Sequence, residues 1–339
     1  MHKLARAPRS TKSETKSSLL TAIEFCSVVS EKLGAPHETH IGIRNNWAIA
    51  FNGVTAAGSP ITENITCHPH TLLLADALSK CDENFSLTQL DNNRLSIKSG
   101  KFKAIVPCLD PNIMQSAEPD PKIVDINNSF KTAVEAVGVL ASEQGQHVLT
   151  HSILMNGASV ISTNRVMLLE YWHGLDLPPN IPLPKEFVTA LVKTKKNLIG
   201  FGFSNCSATF WFEDGCWLRT QLYADTWPDV SNILNRQANL WSIDPNFFKA
   251  LDAVSSFSED GNVYSDLNLL KSHADDGVGA VFEVSGLPKG FVYPIKHLQI
   301  MKPHVKKIDY MATGIHDSTY CLVFQGDVIR GVIAGRQRQ

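Results

Sequence analysis

The sequence predicts an α+β protein in which one domain of about 110 residues, two helices packed on antiparallel strands, is used three times. Three sets of markers carry this. Thr21-Ala22-Ile23-Glu24, Thr132-Ala133-Val134-Glu135 and Lys249-Ala250-Leu251-Asp252 recur at offsets of 111 and 117 residues. Ser99-Gly100, Asp214-Gly215 and Gln325-Gly326 each divide two alternating apolar/polar runs, at offsets of 115 and 111. Lys80, Lys193 and Lys302 follow apolar helical stretches, 113 and 109 apart. Three markers in one order point to repetition, and repetition sets the architecture.

The bulk composition agrees. A chain of 339 residues has room for two or three domains. With 43 % apolar and 19 % charged residues it is of the globular type. The net charge of −2 gives no global polyanion signal, so any such site depends on uneven charge. Seven cysteines, without a C-x-x-C pair, read as buried thiols of a reducing compartment. No run approaches 18 apolar residues, so no membrane partner is expected. Basic residues up to Lys16 precede Leu19–Val29 as in a secretory signal, but Glu24 interrupts the run and Ala-x-Ala cleavage chemistry is missing, so it reads as structure.

Within each copy the first helix is expected over Ser18–Leu33, Ser129–Gln144 and Pro245–Ser258. Phe130, Val134, Val137 and Ala141 make an apolar stripe of helical period. Asn128 or Ser129, and Asp244-Pro245, are suitable starts. The second helix is expected over His70–Cys81, Pro184–Lys195 and Pro294–Met301. Strands are expected at Asn46–Asn52, His147–Met155, Val160–Thr163 and Val278–Val284. Hairpins join Arg94–Lys98 to Lys101–Val106, Ala208–Phe212 to Cys216–Leu222, and Tyr320–Phe324 to Val328–Ala334. Glycine in each turn would supply the positive φ of a tight hairpin. Pro111, Pro119 and Pro121 mark a boundary in Asn112–Lys122, and a second lies near Asn235–Asn239. The domains are then 16–113, 124–235 and 239–339, after a basic flexible tail over 1–15, where Lys3, Arg6, Arg9 and Lys12 against Glu14 total +3.

The order and spacing of these segments resemble the sliding clamp of bacterial replicases, the DNA polymerase III beta subunit family. A divergent version, of the kind phages encode, fits best. The middle copy carries most of the likeness. Phe130 to Leu149 resembles the family's helix and the strand entering its peptide pocket. Ser162-Thr163-Asn164-Arg165-Val166-Met167-Leu168 resembles its Thr-Asp-Gly-His-Arg-Leu segment, and Asp225-Thr226-Trp227-Pro228-Asp229 its Phe-Pro-Asp segment. Arg330-Gly331-Val332-Ile333-Ala334 resembles its apolar tail. There are departures. Asn164, Arg165, Val166 and Met167 replace Asp-Gly-His-Arg, and Ala334-Gly335 with the polar Arg336 to Gln339 replaces the terminal Met-Pro.

The resemblance implies three clamp domains forming half of a six-domain ring, closed by a homodimer, cytoplasmic in a bacterium or an infected host cell. Twelve helices spaced about 8–10 Å apart would line a circumference of roughly 100–120 Å and a hole of roughly 30–38 Å. Such a ring tethers duplex DNA without reading bases. It also implies DNA polymerase and a clamp loader as partners. DNA-facing candidates are Lys80, Lys185, Lys193, Lys195, Lys196, Lys296, Lys302, Lys306 and Lys307; the first copy is poorer, because Asp76, Asp82 and Glu83 offset Lys80. For each lysine the alternative is a solvated helix face. Groove candidates, for an apolar partner peptide with aromatic or leucine anchors, are Leu149, Thr163, Val166, Met167, Leu168, Pro228, Ile233, Val332 and Ala334; for each the alternative is an ordinary core position. Phe102 and Ala104 on an edge strand would face Ser256 and Phe257 across the dimer.

Catalysis is not expected. No Gly-x-Ser-x-Gly, Walker loop or dinucleotide fingerprint follows a strand. Cys67-His68-Pro69-His70, with His37 and His40, lacks a second matching pair for zinc. No cofactor and no metal are expected. A clamp-like scaffold that binds partners without sliding on DNA remains the alternative to a clamp.

Overall fold

The computed structural model describes residues 18–115, 117–142, 147–275, 277–313 and 320–336. The basic tail over 1–15, residue Gln144 and residues 337–339 lie outside them. The chain forms two compact units. One holds the described residues up to 122 together with 209–219. The other holds the described residues of 123–208 and of 220 onward.

In the first unit the helix Ser18–Cys26 is shorter than its apolar pattern suggests. It tightens into one 3₁₀ turn, Ser27–Val29, and the chain is extended by Ser30. Ser27 Oγ donates to Glu24 O at 2.7 Å, taking up a carbonyl at the helix end. Leu33, expected inside the helix, is 92 % exposed. The helix packs on Thr71–Ser79 and on an antiparallel meander, Ile41–Arg44, Trp47–Phe51 and Thr55–Pro60. Residues 209–219, the tip of the hairpin Ser207–Phe212 and Trp217–Gln221, belong to this unit beside Thr55–Pro60. Asp120 anchors that tip. Thr209 Oγ1 donates to Asp120 Oδ2 at 2.8 Å, and Trp211 Nε1 to Asp120 O at 3.2 Å. A separate three-stranded sheet follows, Ser86–Leu90, Arg94–Ser99 and Phe102–Pro107.

The second unit contains two further helix pairs. Asn128–Gly138 packs on Lys185–Lys193, and Phe247–Ser255 on Ile295–Met301. The repeated Ala22, Ala133 and Ala250 are buried at equivalent places in the three first helices, and Lys80, Lys193 and Lys302 stand at the ends of the three second helices. Asn127, one residue before the expected start, caps the second copy, its Oδ1 accepting from Ser129 N at 2.8 Å. The stripe Phe130, Val134 and Val137 is fully buried. Gly138 permits the helices to meet, since a Cβ there would stand 2.6 Å from Val188 Cγ1.

Eight strands of this unit form one sheet, in the order Ile181–Pro184, Ser152–Asn156, Ser159–Thr163, Met167–Trp172, Ile329–Ala334, Tyr320–Gln325, Lys307–Thr313, Trp241–Ser242. The joint between second and third copies is the antiparallel pairing of Met167–Trp172 with Ile329–Ala334, in which Val332 stands opposite Leu168. A second sheet of four strands runs Val281–Glu283, Leu269–Lys271, Asn262–Asp266, Val292–Pro294.

Two local expectations fail. The strand expected over His147–Met155 begins only at Ser152. Before it, Val148–His151 is a helical turn, capped by His147 Nδ1 accepting from Leu149 N at 3.3 Å and closed by Ser152 Oγ on Val148 O at 2.6 Å. Gly326 is the other. Gly100 and Gly215 have φ of +55° and +74°, but Gly326 lies outside the positive-φ region. It is small for a different reason: a Cβ there would stand 2.0 Å from the His304 carbonyl oxygen.

Buried histidines make the fold acid-sensitive. His173 lies against Phe130, rings 5.4 Å apart, and its Nδ1 accepts from Leu175 N at 3.1 Å. Burial pushes its pKa down to about 4. The folded protein holds this ring neutral while the unfolded chain protonates near 6.5. Its contribution is therefore full above pH 6.5 and is lost as pH falls toward 4, at up to about 1.4 kcal/mol per pH unit. Thermal denaturation is expected to show a falling melting temperature across this window. His173→Gln, which keeps an acceptor but does not titrate, flattens that limb.

Candidate functional site

One face of the eight-stranded sheet carries an open cavity of about 350 Å³ where Met167–Trp172 meets Ile329–Ala334. That size falls within the range of ligand pockets, roughly 300–1,000 Å³. Strand periodicity builds its floor. Leu168 and Val332 point to the same face, and Ala334 N donates to Val166 O at 2.8 Å, prolonging the ladder beside it. The connector after Trp227 forms one wall. Trp227 Nε1 donates to Ser152 Oγ at 2.8 Å, and Leu234 is buried with Leu154, Ile161 and Leu168. Ile233, on the short helix Ser231–Leu234, remains 44 % exposed over the cavity.

Eight of the nine groove candidates line this one cavity: Leu149, Thr163, Val166, Met167, Leu168, Ile233, Val332 and Ala334. Pro228 does not. It lines a neighbouring cavity of about 270 Å³ with Trp227, Leu154, Glu170 and Arg330, farther along the same strand pair. Arg165, Val230, Arg236, Tyr320, Cys321 and Gly335 also line the groove. Sequence reading passed over them. Arg165 and Tyr320 lie within segments already singled out for other reasons; Arg236 and Cys321 meet only by tertiary packing.

Polar contacts hold the walls. Arg330 Nε donates to Glu170 Oε2 at 2.7 Å, its Nη1 to Asn235 Oδ1 at 2.9 Å, and its guanidinium lies 5.0 Å from the Trp172 ring centre. Glu170 is 6 % exposed and also accepts from Ser159 Oγ at 2.8 Å, so its buried charge is compensated. Asn164 Oδ1 accepts from Val166 N and Met167 N, which leaves its Nδ2 to donate to His297 Nε2 at 2.8 Å. Burial, and then Lys296 and Arg336, lower the His297 pKa. That favours the neutral ring which this bond requires.

The lysine candidates divide. Lys80 pairs with Asp76 at 2.6 Å, Lys302 with Asp252 at 2.6 Å and Lys306 with Asp327 at 2.7 Å. Lys185 Nζ donates to Gly138 O at 3.0 Å, at the end of the neighbouring helix. Lys196 is half-buried. Lys193, Lys195, Lys296 and Lys307 are exposed without a carboxylate partner among the described residues. The lysines are thus fewer as free charges than as a sequence count.

Phe102 and Ala104 are half-buried on Phe102–Pro107, the outer strand of the three-stranded sheet, where Ile105 is 49 % exposed. Ser256 and Phe257 are exposed just past Phe247–Ser255, Phe257 to 55 %. Val281–Glu283 is the outer strand of the four-stranded sheet, with Val281 55 % exposed. Each unit therefore presents an unpaired strand edge with an apolar residue on it.

Among the described residues no group of three or more His, Cys, Asp or Glu could hold a metal. His40 and His70 pair as rings 5.2 Å apart. Among the described residues no helix is long and apolar enough to cross a membrane.

No protein-family model and no curated protein sequence matches the chain. Solved structures do. The DNA polymerase III subunit beta of Pseudomonas aeruginosa matches with a TM-score of 0.77 at 12 % identity, over 95 % of this chain and 98 % of that one. The Helicobacter pylori beta clamp bound to a DNA ligase peptide gives 0.75 at 15 %, over 95 % and 99 %. The Bacillus subtilis DNA polymerase sliding clamp gives 0.77 at 13 %, over 95 % and 97 %. Over 95 % of its length, this chain has the fold of the bacterial DNA polymerase III beta sliding clamp, carried by a sequence that shares little more than one residue in eight with it.

Proposed function

We propose that the chain is a sliding clamp. Two copies close head to tail into a ring around duplex DNA, and the groove tethers a DNA polymerase through a short apolar peptide. Three modules, 16–113, 124–235 and 239–339, each contribute a helix pair to the inner wall. The protein catalyses nothing in this role, works in the cytoplasm with the replication machinery, and receives help from a clamp loader to open. The observation that supports this most is the likeness to clamps over 95 % of the chain, with an apolar groove on the strand pair joining the second and third copies. The Helicobacter pylori clamp is described bound to a DNA ligase peptide, so peptide binding has a precedent in this fold.

A scaffold that binds partners without sliding is favoured by one feature, the neutralisation of Lys80, Lys302 and Lys306 by aspartates. Ring closure separates the readings. Multi-angle light scattering at micromolar protein is expected to give twice the chain mass. Ile105→Lys, placing a charge on the proposed pairing edge, is expected to shift the protein to the monomer at unchanged melting temperature. A wild-type monomer at these concentrations would sink the ring, since a single copy cannot encircle DNA.

A further inference from the structure

The groove carries charge of one sign. Arg165 and Arg236 line it, and among the described residues no Asp or Glu does. Arg165 stands in the left-handed region, φ +71°, where most side chains are unwelcome. Its turn is pinned on both sides. Thr163 Oγ1 accepts from Arg165 N at 3.1 Å and donates to Met167 O at 2.7 Å, while Asn164 Oδ1 accepts from Val166 N and Met167 N. The result is an exposed arginine held at the groove's rim, with no carboxylate partner among the described residues. Arg236 faces the groove from the connector wall. Its Nη1 donates to Cys321 Sγ at 2.9 Å, and a thiol is a weak acceptor that leaves most of the five guanidinium donors unspent. Arg330 shows the contrast, since Glu170 neutralises it.

An occupant that covered this groove with apolar side chains alone would shield two cations from water and give them nothing in return. An occupant with carboxylates beside its apolar anchors would fill the floor and pair with both guanidinium groups, the geometry in which arginine binds most strongly. We propose that the groove selects acidic peptides: a leucine or aromatic anchor flanked by Asp or Glu. This rests on the groove being a peptide site, as proposed above, and names which peptides it prefers. The exposed Ile233 and the Leu168–Val332 floor suit a side chain rather than a phosphodiester.

Fluorescence anisotropy with labelled, amidated octapeptides tests it. All share one Leu-Phe anchor pair and differ only in three flanking residues: Asp, Ser or Lys. The Asp peptide is expected to bind about tenfold tighter than the Ser peptide, and the Lys peptide weakest, with the differences shrinking in about 0.5 M salt. Arg165→Gln should narrow the spread. Arg165→Glu with Arg236→Glu should reverse the order, and a melting curve checks that the double variant folds. If all three peptides bind equally, the acidic preference is overturned while the peptide groove stands. If none binds, both fall. If an oligothymidine strand displaces the Asp peptide, the site belongs to nucleic acid and the proposal is overturned.

Discussion

On nicked circular plasmid the loaded protein is expected to stay bound through gel filtration, and to be lost once the plasmid is linearised. The retained fraction should differ by at least about tenfold between the two templates. The physical reason is that little on this chain grips DNA. The net charge is −2, and three of the nine lysines expected to face DNA are paired with aspartates. Direct phosphate contacts lose affinity steeply with salt, with a slope set by the number of phosphates neutralised. In the proposed ring the four exposed lysines per chain, Lys193, Lys195, Lys296 and Lys307, would supply only a weak contact. A topological link is different: it persists on a circle while the ring stays closed, whatever the salt, and ends when the duplex slides out of a free end. Retention on circles should therefore barely change between about 50 and 200 mM salt, the range over which gripping proteins weaken strongly. Loading in the presence of a clamp loader, or by dilution and reconcentration with the plasmid, prepares the complex. Equal loss from circular and linear templates would reject encirclement and leave the scaffold reading.

Ile233→Ser is expected to weaken binding of the labelled Leu-Phe peptide by about 10- to 100-fold at unchanged melting temperature. The side chain is 44 % exposed and overhangs the cavity, so a peptide bound in the proposed groove would bury the rest of it. Burying a side chain of this size is worth about 1.5–3 kcal/mol, which sets the range, while truncating a half-exposed residue costs the fold little. Pairing Met167→Ala with Leu168→Ala, the choice that sequence alone suggests, is less clean. Met167 is 1 % and Leu168 5 % exposed, and removing such side chains costs the fold about 2–5 kcal/mol each. Lost binding in that double variant would mix a damaged groove with a loosened sheet. Unchanged peptide affinity in Ile233→Ser would remove the connector from the site.

Much of this protein is legible in its local pattern. The stripe of Phe130, Val134 and Val137 and the turns at Gly100 and Gly215 depend on neighbours within a few residues, and the sequence displays them. Eight groove residues could be gathered in advance because most fall in one short segment, Thr163 to Leu168, and in the C-terminal apolar strand, whose likeness to a clamp supplied the pairing. Where a local signal had a competitor, it misled. His147 caps a helical turn in a stretch that reads as strand, and Ser27 helps end a helix whose apolar run continues. Pro228 lines the neighbouring cavity and not the groove it was assigned to.

The sequence by itself determined the repeat, the helix pairs and the hairpins, because these follow from periodicity and turn chemistry carried by adjacent residues. Tertiary structure alone decided which charges remain free. Lys302 meets Asp252 from 50 positions away, and Arg330 meets Glu170 from 160 away, yet among the described residues Arg165 and Arg236 meet no carboxylate. A charge's effect depends on what lies within a few ångströms of it in space, and folding, not chain order, sets that distance. The groove's apolar floor was therefore visible in advance, and its positive rim was not.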